Sequence, residues 1–314
     1  MSKNRLASEE TTSKGSPVQG KQPEGSPAQN ERRFRTVPRM NTSPLHALWA
    51  LTNRDLRKWY TNPYQFLASL IQPIVWLALF GKALNFGAII TSTASTSQAQ
   101  QDAILQGIFG TASYFSFLAY GMLAFVVLFT SAFSGMSVVF DRRFGFMNKA
   151  LSTPVARGTI VMSKILQSVG RSLTQTSIVL VIAVLLGMDT SHFSAVGIAG
   201  AFVIIFLMGI GLSALFVMFA LRSSDWQTQV ATINLINMPL LFASNALFPL
   251  KVMPPWLQTV ARINPVSYAN DAARQMLLGA TGMTSLWVDF AVLIGFAAVL
   301  SAIGIALSWR LLSK

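Results

Sequence analysis

The sequence predicts an all-α membrane protein with six transmembrane helices, and three observations support this class. Of the 314 residues, 52% are hydrophobic and only 11% are charged, whereas about a quarter of the residues are charged in soluble proteins. Apolar runs of about 20 residues, long enough to cross a bilayer as a helix, recur along the chain. The formal net charge is +13, and the basic residues cluster outside those runs.

The composition also excludes several kinds of functional site. The absence of cysteine excludes disulfides, thiolate nucleophiles and cysteine-ligated metals. The two histidines, His46 and His192, are far apart in the sequence, so a histidine-based metal site is not expected. Basic residues between apolar runs are typical of membrane proteins that follow the positive-inside rule. We favour this explanation of the positive charge over nucleic-acid binding. We therefore expect no metal, no cofactor and no nucleic acid bound by this chain.

Residues 1–43 are predicted to form a disordered cytoplasmic tail. They are rich in Ser, Gly, Pro, Gln, Lys and Arg, and they contain few large apolar residues. Such a segment cannot bury enough apolar surface to offset the entropy of ordering. The membrane domain is therefore predicted to comprise residues 44–314.

Residues 44–60 are predicted to form an amphipathic helix in the membrane interface. Leu48, Trp49 and other apolar side chains fall on one helical face, while Arg54 and Arg57 fall on the opposite face. This pattern places an apolar stripe at the acyl boundary and cations toward the lipid headgroups. Membrane lipid is therefore an expected partner.

The six predicted spans are separated by loops that differ in charge. The approximate spans are Tyr64–Leu84, Ala112–Val138, Pro154–Met188, Ala195–Leu221, Gln227–Leu247 and Leu286–Leu307. The tail, the loop between spans two and three, the turn between spans four and five and the C-terminus contain most of the Lys and Arg. The loops between spans one and two and between spans three and four contain none. Both termini are therefore predicted to be cytoplasmic.

The segment between spans five and six, residues 249–283, is too polar and too rich in proline to span. Two short outer helices are predicted there, from about Pro254 to Arg262 and from Pro265 to Leu278, because proline is favoured at the first position of a helix. We expect Asp271 to pair with Arg274, three residues further along the same helix.

The loop between spans two and three, Asp141–Arg157, is basic, amphipathic and interrupted by proline. A short helix is predicted to end near Leu151, and a new helix is predicted to start at Pro154 with Thr153 as its N-cap. Apolar side chains at helical spacing can fill a cleft on another protein, and the cations can meet acidic residues around it. The candidate contact residues are Arg142, Arg143, Phe144, Met147, Lys149, Leu151, Thr153, Pro154 and Arg157.

An ordinary positive-inside loop is the alternative interpretation of this segment. We favour a contact with another protein, because Phe144 and Phe146 are not expected in a loop that is merely solvated.

The chain contains no complete P-loop, so it is not expected to hydrolyse ATP itself. Gly81-Lys82 is followed by Ala83 and has Trp76 at the position of the first motif glycine. The spans also contain almost no acidic residues, whereas proton- or sodium-coupled transporters use ionisable groups at membrane depth. If the protein transports a substrate, its energy is expected to come from another chain.

Three stretches together resemble the type-2 permeases of ATP-binding-cassette (ABC) exporters, most closely the daunorubicin-resistance branch. The first is the interfacial helix that leads into a proline-bearing span. The second is Leu151-Ser152-Thr153-Pro154-Val155-Ala156-Arg157, which is similar to the Leu-x-Thr-Pro-x-x-Arg loop of that family. The third runs from Phe248 to Arg274 and includes Asn264-Pro265-Val266-Ser267-Tyr268. The resemblance covers about residues 44–310.

The resemblance implies a complex of two permeases, either two copies or a copy and a paralogue, with two cytoplasmic ATPase subunits that bind ATP and Mg²⁺. It implies that the Asp141–Arg157 loop is the coupling helix that contacts the ATPase. It also implies a location in the plasma membrane, with Tyr268, Asp271 and Arg274 in the outer segment. ABC importers have a loop with a Glu-Ala-Ala–Gly pattern, and the lack of Glu in this loop favours export.

Polar residues within the spans are candidates for a substrate path. In the family that this chain resembles, the path lies at the dimer interface near spans one, two and five. Gln72 lies in span one, and Asn234, Asn237 and Ser244 are predicted to share a face of span five. Hydrogen bonding between helices is the alternative role for each of them.

These observations predict the membrane permease subunit of an ATP-driven exporter of a hydrophobic or amphipathic drug or a lipid-like substrate. Export of polysaccharide or glycolipid is the alternative within the same family. A secondary transporter or a membrane scaffold that transports nothing are the alternatives from other classes. A secondary transporter is disfavoured because the spans of this chain lack the expected acidic residues. A scaffold is disfavoured because it has no need for a coupling loop.

Overall fold

The computed structural model describes residues 43–83, 98–111, 113–152, 155–223, 225–280 and 282–311, all of which form helices or their connections. The α-helices of these residues are α1 (Pro44–Tyr60), α2 (Pro63–Ala78), α3 (Gln98–Phe109), α4 (Tyr114–Arg143), α5 (Phe146–Leu151), α6 (Arg157–Leu185), α7 (Ala195–Arg222), α8 (Trp226–Phe242), α9 (Pro255–Ile263), α10 (Pro265–Leu278) and α11 (Leu286–Leu311). A π-helical turn, Leu79–Ala83, extends α2. The predicted tail lies outside the described residues, apart from Ser43.

Five helical stretches of the described residues are long and apolar enough to cross a membrane. They are Pro63–Gly81, Ala103–Arg143, Arg157–Leu185, Ala195–Arg222 and Leu286–Arg310. The all-helical class of membrane protein is therefore confirmed for the described residues, and five of the six predicted spans have the required length.

The predicted fifth span is shorter in the structure than the sequence indicated. Its helix, α8, has 17 residues and ends at Phe242, although apolar residues continue to Leu247. Asn264 explains this end, because its Nδ2 donates to the carbonyls of Leu240 (2.8 Å) and Ala243 (2.7 Å). These bonds satisfy carbonyls that a longer helix would have used.

Short polar side chains and prolines fix where several helices begin. Ser113, Ser194 and Asp225 precede α4, α7 and α8, and each accepts a hydrogen bond from a backbone N–H in the first turn. Proline occupies the first position of α1, α2, α9 and α10, where it has no hydrogen bond to lose.

α7 is the central helix of the bundle. It packs against α4, α6, α10 and α11, and its apolar residues surround the whole helix, as expected for a helix with neighbours on all sides. The turn after α8 packs against α4 at Gly121, where a Cβ atom would lie 1.9 Å from the carbonyl oxygen of Ala246. Only glycine permits this close approach of the two backbones.

The bundle has two ends that differ in composition. At the α5 end, α5 meets the end of α4, the start of α6 and the end of α7 around a core that includes Met147, Ile160 and Val217. At the α10 end, α10 packs beside α4, α7 and α11. These two ends carry the two polar regions that bear on function.

Two predicted boundaries are wrong. Residues 85–110 were expected to form a loop, but α3 forms there, and its Phe109 ring contacts Tyr114 and Phe117 of the α4 start at 5.2 Å each. The helix expected from Pro154 begins instead at Arg157, because Ala156 is extended, with φ −60° and ψ 135°. Thr153 and Pro154 themselves lie outside the described residues.

Candidate functional site

A tight turn positions α5 between the two long helices that flank it. α4 continues to Arg143, and the N–H groups of Phe144 and Gly145 then donate to the carbonyls of Phe140 and Arg142. Gly145 adopts the left-handed conformation, with φ 72°, which permits the sharp change of direction. α5 therefore lies next to the C-terminal end of α4 and the N-terminal end of α6.

One side of this loop is exposed and combines an aromatic ring with cations. The Phe144 side chain is 79% exposed, and its ring lies 6.1 Å from that of Phe140. Arg143, Asn148 and Lys149 are exposed as well. An exposed phenylalanine beside two cations can fill an apolar cleft with an acidic rim.

Other predicted contact residues point inward or have partners within the chain. Met147 is 3% exposed and belongs to the core at the α5 end, so it cannot enter a cleft on another protein. Phe144 precedes α5, so the expected helical spacing with Met147 does not exist. Arg142 donates to the carbonyls of Leu221 (3.0 Å) and Ser223 (3.2 Å), which ties the loop to the end of α7.

The remaining predicted loop residues are less defined. Leu151 ends α5, although its side chain lies outside the described part, as do Thr153 and Pro154. Arg157 is half-buried at the start of α6.

The inner side of α5 contacts the predicted interfacial helix. The guanidinium carbon of Arg54, on α1, lies 3.8 Å from the centre of the Phe146 ring, and Lys58 Nζ lies 5.6 Å from it. Cation–π contacts of this kind are worth about 0.5–2 kcal/mol, depending on desolvation. α5 is therefore in contact with α1 through these side chains.

A buried cluster of charges joins the same three long elements. Lys164 of α6 donates to Asp55 of α1 at 2.6 Å and also pairs with Asp141 of α4. Arg54 pairs with Asp55 at 2.5 Å and lies 3.6 Å from Asp141. The two acids are thus matched by two cations, which is the condition for burying charge without a large penalty. We name Arg54, Asp55, Asp141 and Lys164 the ion cluster.

The electrostatics of the ion cluster predict a pH dependence. Burial by itself raises the pKa of Asp55, but the charges and hydrogen bonds of Lys164 and Arg54 outweigh it and hold the pKa below 3.8. The stabilisation is fully present above about pH 3.8 and is lost as pH falls through the lower, folded-state pKa. We expect the thermal unfolding temperature in detergent to fall as the pH is lowered below about 4, and Asp55→Asn to lose this part of the dependence. Parallel pH profiles for both proteins would contradict this prediction.

The structure does not bring the predicted path residues together. Gln72 lines a groove of about 330 Å³ between α2, α4 and α6. Asn234 is exposed on α8, whereas Asn237 is buried, and neither of its amide atoms has a hydrogen-bond partner among the described residues. Ser244 lies beyond the end of α8 and donates to Leu241 at 2.7 Å, so the three residues do not share a helical face.

The predicted outer residues hold the α10 end together. Tyr268 Oη donates to the carbonyl of Arg262 at 2.6 Å. Asp271 accepts from the N–H groups of Met283 (2.7 Å) and Thr284 (3.1 Å) and from Gln275 Nε2 (3.1 Å), and within the described part of the chain Arg274 donates to backbone carbonyls. The expected ion pair between Asp271 and Arg274 is therefore replaced by separate backbone partners. The backbone of a proline-broken segment leaves many groups to satisfy, which explains the change.

Sequence reasoning missed the ion cluster as a unit. Lys164 lies inside a predicted span, and an ion at such a position needs a partner. Asp55 is the one acid in a basic amphipathic helix, so it was the natural candidate. Their separation of 109 positions hid the pairing from any local pattern.

The fold defines a multi-pass membrane protein. Residues 46–278 match the ABC-2 type transporter family, and the chain belongs to that family. The ycf38 transport permease of Pyropia yezoensis is 30% identical over 245 residues, which cover 78% of each chain. A daunorubicin resistance ABC transporter permease, DrrB1 of Streptomyces coeruleorubidus, is 23% identical over 237 residues, 76% of this chain and 77% of the relative. Nodulation protein J of Rhizobium leguminosarum bv. trifolii is 25% identical over 215 residues, which cover 68% of this chain and 74% of the relative.

Family membership gives the chain its general role. It is a membrane permease of an ABC transporter, and permeases of this family associate with a separate ABC ATPase subunit.

Proposed function

We propose that this permease exports an amphiphilic drug or a lipid-like molecule, using ATP and Mg²⁺ bound by the separate ATPase subunit. The relative from Streptomyces coeruleorubidus is named for daunorubicin resistance, which supports an amphiphilic substrate. The lack of Glu in the Asp141–Arg157 loop supports outward transport. The permease acts as a dimer of two copies or of a copy and a paralogue.

The observation that carries this proposal is the exposed Phe144 in the turn between α4 and α5. Its ring enters the ATPase, while Arg143 and Lys149 meet acids around the cleft. Movement of the ATPase then displaces α5, and the Arg54–Phe146 contact and the ion cluster pass that displacement to α1, α4 and α6. The chain joins α5 covalently to α4 and to α6, and the Arg54–Phe146 contact and the ion cluster add two non-covalent connections. The α5 end therefore moves as one unit.

The same proposal sets the orientation. The protein lies in the plasma membrane with both termini and the α5 end in the cytoplasm, because the ATPase and its ATP are there. The α10 end then faces outward, with Tyr268, Asp271 and Arg274 in the outer segment. Basic residues concentrate in the loop at the α5 end, as the positive-inside rule expects.

Phe144→Asp is expected to weaken the complex with the ATPase about thirtyfold, equivalent to ~2 kcal/mol, because a charge replaces an apolar anchor. Phe144 has few contacts within the chain, so the thermal unfolding temperature is expected to stay unchanged. The complex is measured by co-purification and titration of the cognate ATPase, and export by the ATP-dependent efflux of a fluorescent amphiphile from proteoliposomes.

Phe248→Asp is the matched control, since Phe248 is also exposed but lies after α8, near the α10 end. It is expected to bind the ATPase normally. If Phe144→Asp retains both the complex and the efflux, Phe144 is not the anchor. If the wild-type complex hydrolyses ATP without moving any amphiphile outward, the export function is wrong.

A further inference from the structure

Among the described residues, the groove between α2, α4 and α6 is lined by one charged side chain, and no carboxylate forms an ion pair with it. Rings of Trp59, Phe125, Phe129 and Phe133 form much of its wall. Arg171, on α6, is the one charged residue among the residues that line it. Its volume of about 330 Å³ lies within the range of small-molecule sites, ~300–1,000 Å³.

The protein satisfies only part of the Arg171 guanidinium. Nη2 donates to the backbone carbonyl of Asp55 at 3.4 Å. With its amide in the orientation that allows hydrogen bonding, Gln167 accepts from Nε at 2.8 Å and from Nη2 at 2.9 Å. Nη1 is not a donor in any of these hydrogen bonds. The Trp59 ring lies 5.7 Å from the guanidinium carbon.

No carboxylate of the described residues lies within 4.0 Å of Arg171. The nearby Asp55 carboxylate is already paired with Lys164 and Arg54. An ionised side chain inside a membrane protein is costly unless it is paired, and it marks a functional site by default. Arg171 is therefore the side chain of the groove with which an anion from outside the chain can pair.

We propose that the groove binds an amphiphile with a single acidic headgroup, and that this is the substrate class of the exporter. The headgroup meets Arg171 and the amides of Gln175 and Gln72, and the apolar tail lies along the aromatic wall. The Thr130 hydroxyl donates to Gln175 Oε1 at 2.5 Å, which leaves the Gln175 amide N–H groups for the ligand. A guanidinium with neighbouring amide donors suits a sulfonate, phosphate or carboxylate. The inference rests on the proposed export function for its transport step, but the binding step stands on the groove alone.

The binding test uses Trp59, which lines the groove, as the reporter. The full chain is placed in nanodiscs of neutral phosphatidylcholine and titrated with three brominated amphiphiles of equal tail length. One has a sulfonate headgroup, one a trimethylammonium headgroup and one a maltose headgroup. Bromine quenches nearby tryptophan fluorescence, and Trp59→Phe supplies the background from the other tryptophans.

We expect the sulfonate to bind at least about tenfold more tightly than the other two, and Arg171→Gln to remove this preference. Arg171→Lys is expected to retain part of it, because the charge remains but the planar donors are lost. Arg222→Gln, an equal loss of charge at the exposed end of α7, is expected to bind like the wild type. Thermal unfolding of each variant establishes that it is folded.

Equal binding of the three headgroups by the wild type, or an unchanged preference in Arg171→Gln, would overturn the proposal. Quenching of Trp59 by none of them would also overturn it, since the groove would then take up no amphiphile. Binding needs no ATPase, so this result is independent of export. Selective sulfonate binding combined with a complex that moves no amphiphile would uphold the site and refute the export function.

Discussion

Lys164→Met is expected to lower the free energy of unfolding by about 3–5 kcal/mol, because it removes the most buried cation of the ion cluster and leaves Asp55 and Asp141 short of positive charge. The Lys164 side chain is 4% exposed and pairs with both Asp55 and Asp141. Without it, Arg54 is the one cation of the ion cluster that faces the two carboxylates, so the cluster carries a net negative charge, and Lys58, which also lies near Asp55, is exposed to solvent. Methionine fills nearly the same volume, which separates the loss of charge from the loss of packing. Thermal or denaturant unfolding in detergent measures the effect.

Lys58→Met is the matched control for this substitution. Lys58 lies 3.7 Å from the same Asp55 carboxylate, but its side chain is 61% exposed. Exposed ion pairs contribute at most about 1 kcal/mol, so the control is expected to unfold nearly like the wild type.

Restoring the charge balance gives a second readout. Asp141→Asn added to Lys164→Met leaves Asp55 and Arg54 as a neutral pair, so the double variant is expected to regain part of the lost stability. If the double variant loses less stability than the sum of the losses in the two single variants, charge is identified as the cause. If Lys164→Met unfolds like the wild type, or if Asp141→Asn lowers its stability further, the ion cluster is not a balanced unit.

The sequence allowed prediction of those features that depend on local pattern. Apolar runs located five spans, because a bilayer demands about 20 consecutive apolar residues from a helix. Proline and polar caps marked helix starts, and α10 begins at Pro265 as expected. The short helix before Leu151 was predicted from the turn residues that surround it.

Features that depend on distant residues were not predictable in this way. α8 ends at Phe242 because Asn264, more than twenty positions later, satisfies its last carbonyls. Met147 faces inward because the ends of α4, α6 and α7 form a core there, while Phe144 is left outside. Composition gives the same apolar character to both residues, so only tertiary packing distinguishes them.

The sequence indicated which loop to consider as a contact surface, but it did not indicate which other helices that loop contacts. The basic loop between two spans suggested a contact surface, yet its link to α1 through Phe146 and Arg54 has no local signature. The groove was indicated only by Gln72, whereas its charge comes from Arg171 on another helix.

Arg274→Met is expected to lower the free energy of unfolding by more than about 3 kcal/mol, because it leaves several buried carbonyls without a donor. Arg274 is buried, and its Nη1 donates to Asn245 O at 2.8 Å. Its Nη2 donates to Phe117 O and to Ala246 O at 3.1 Å each. The guanidinium carbon also lies 3.6 Å from the centre of the Phe117 ring. One side chain thus joins α10, the start of α4 and the turn after α8.

Arg274→Lys separates geometry from charge in this network. A single ammonium cannot reach three carbonyls that a planar guanidinium spans, so this variant is expected to recover only part of the stability. Arg262→Met is the control, since Arg262 is exposed on the adjacent α9, and its removal is expected to change stability by less than about 0.5 kcal/mol. Because the α10 end is proposed to face outward, far from the ATPase, Arg274→Met is expected to retain ATPase binding at temperatures where it is folded. Equal melting of Arg274→Met and Arg262→Met would show that the three carbonyls find other donors, and a loss of ATPase binding in folded Arg274→Met would contradict the proposed orientation.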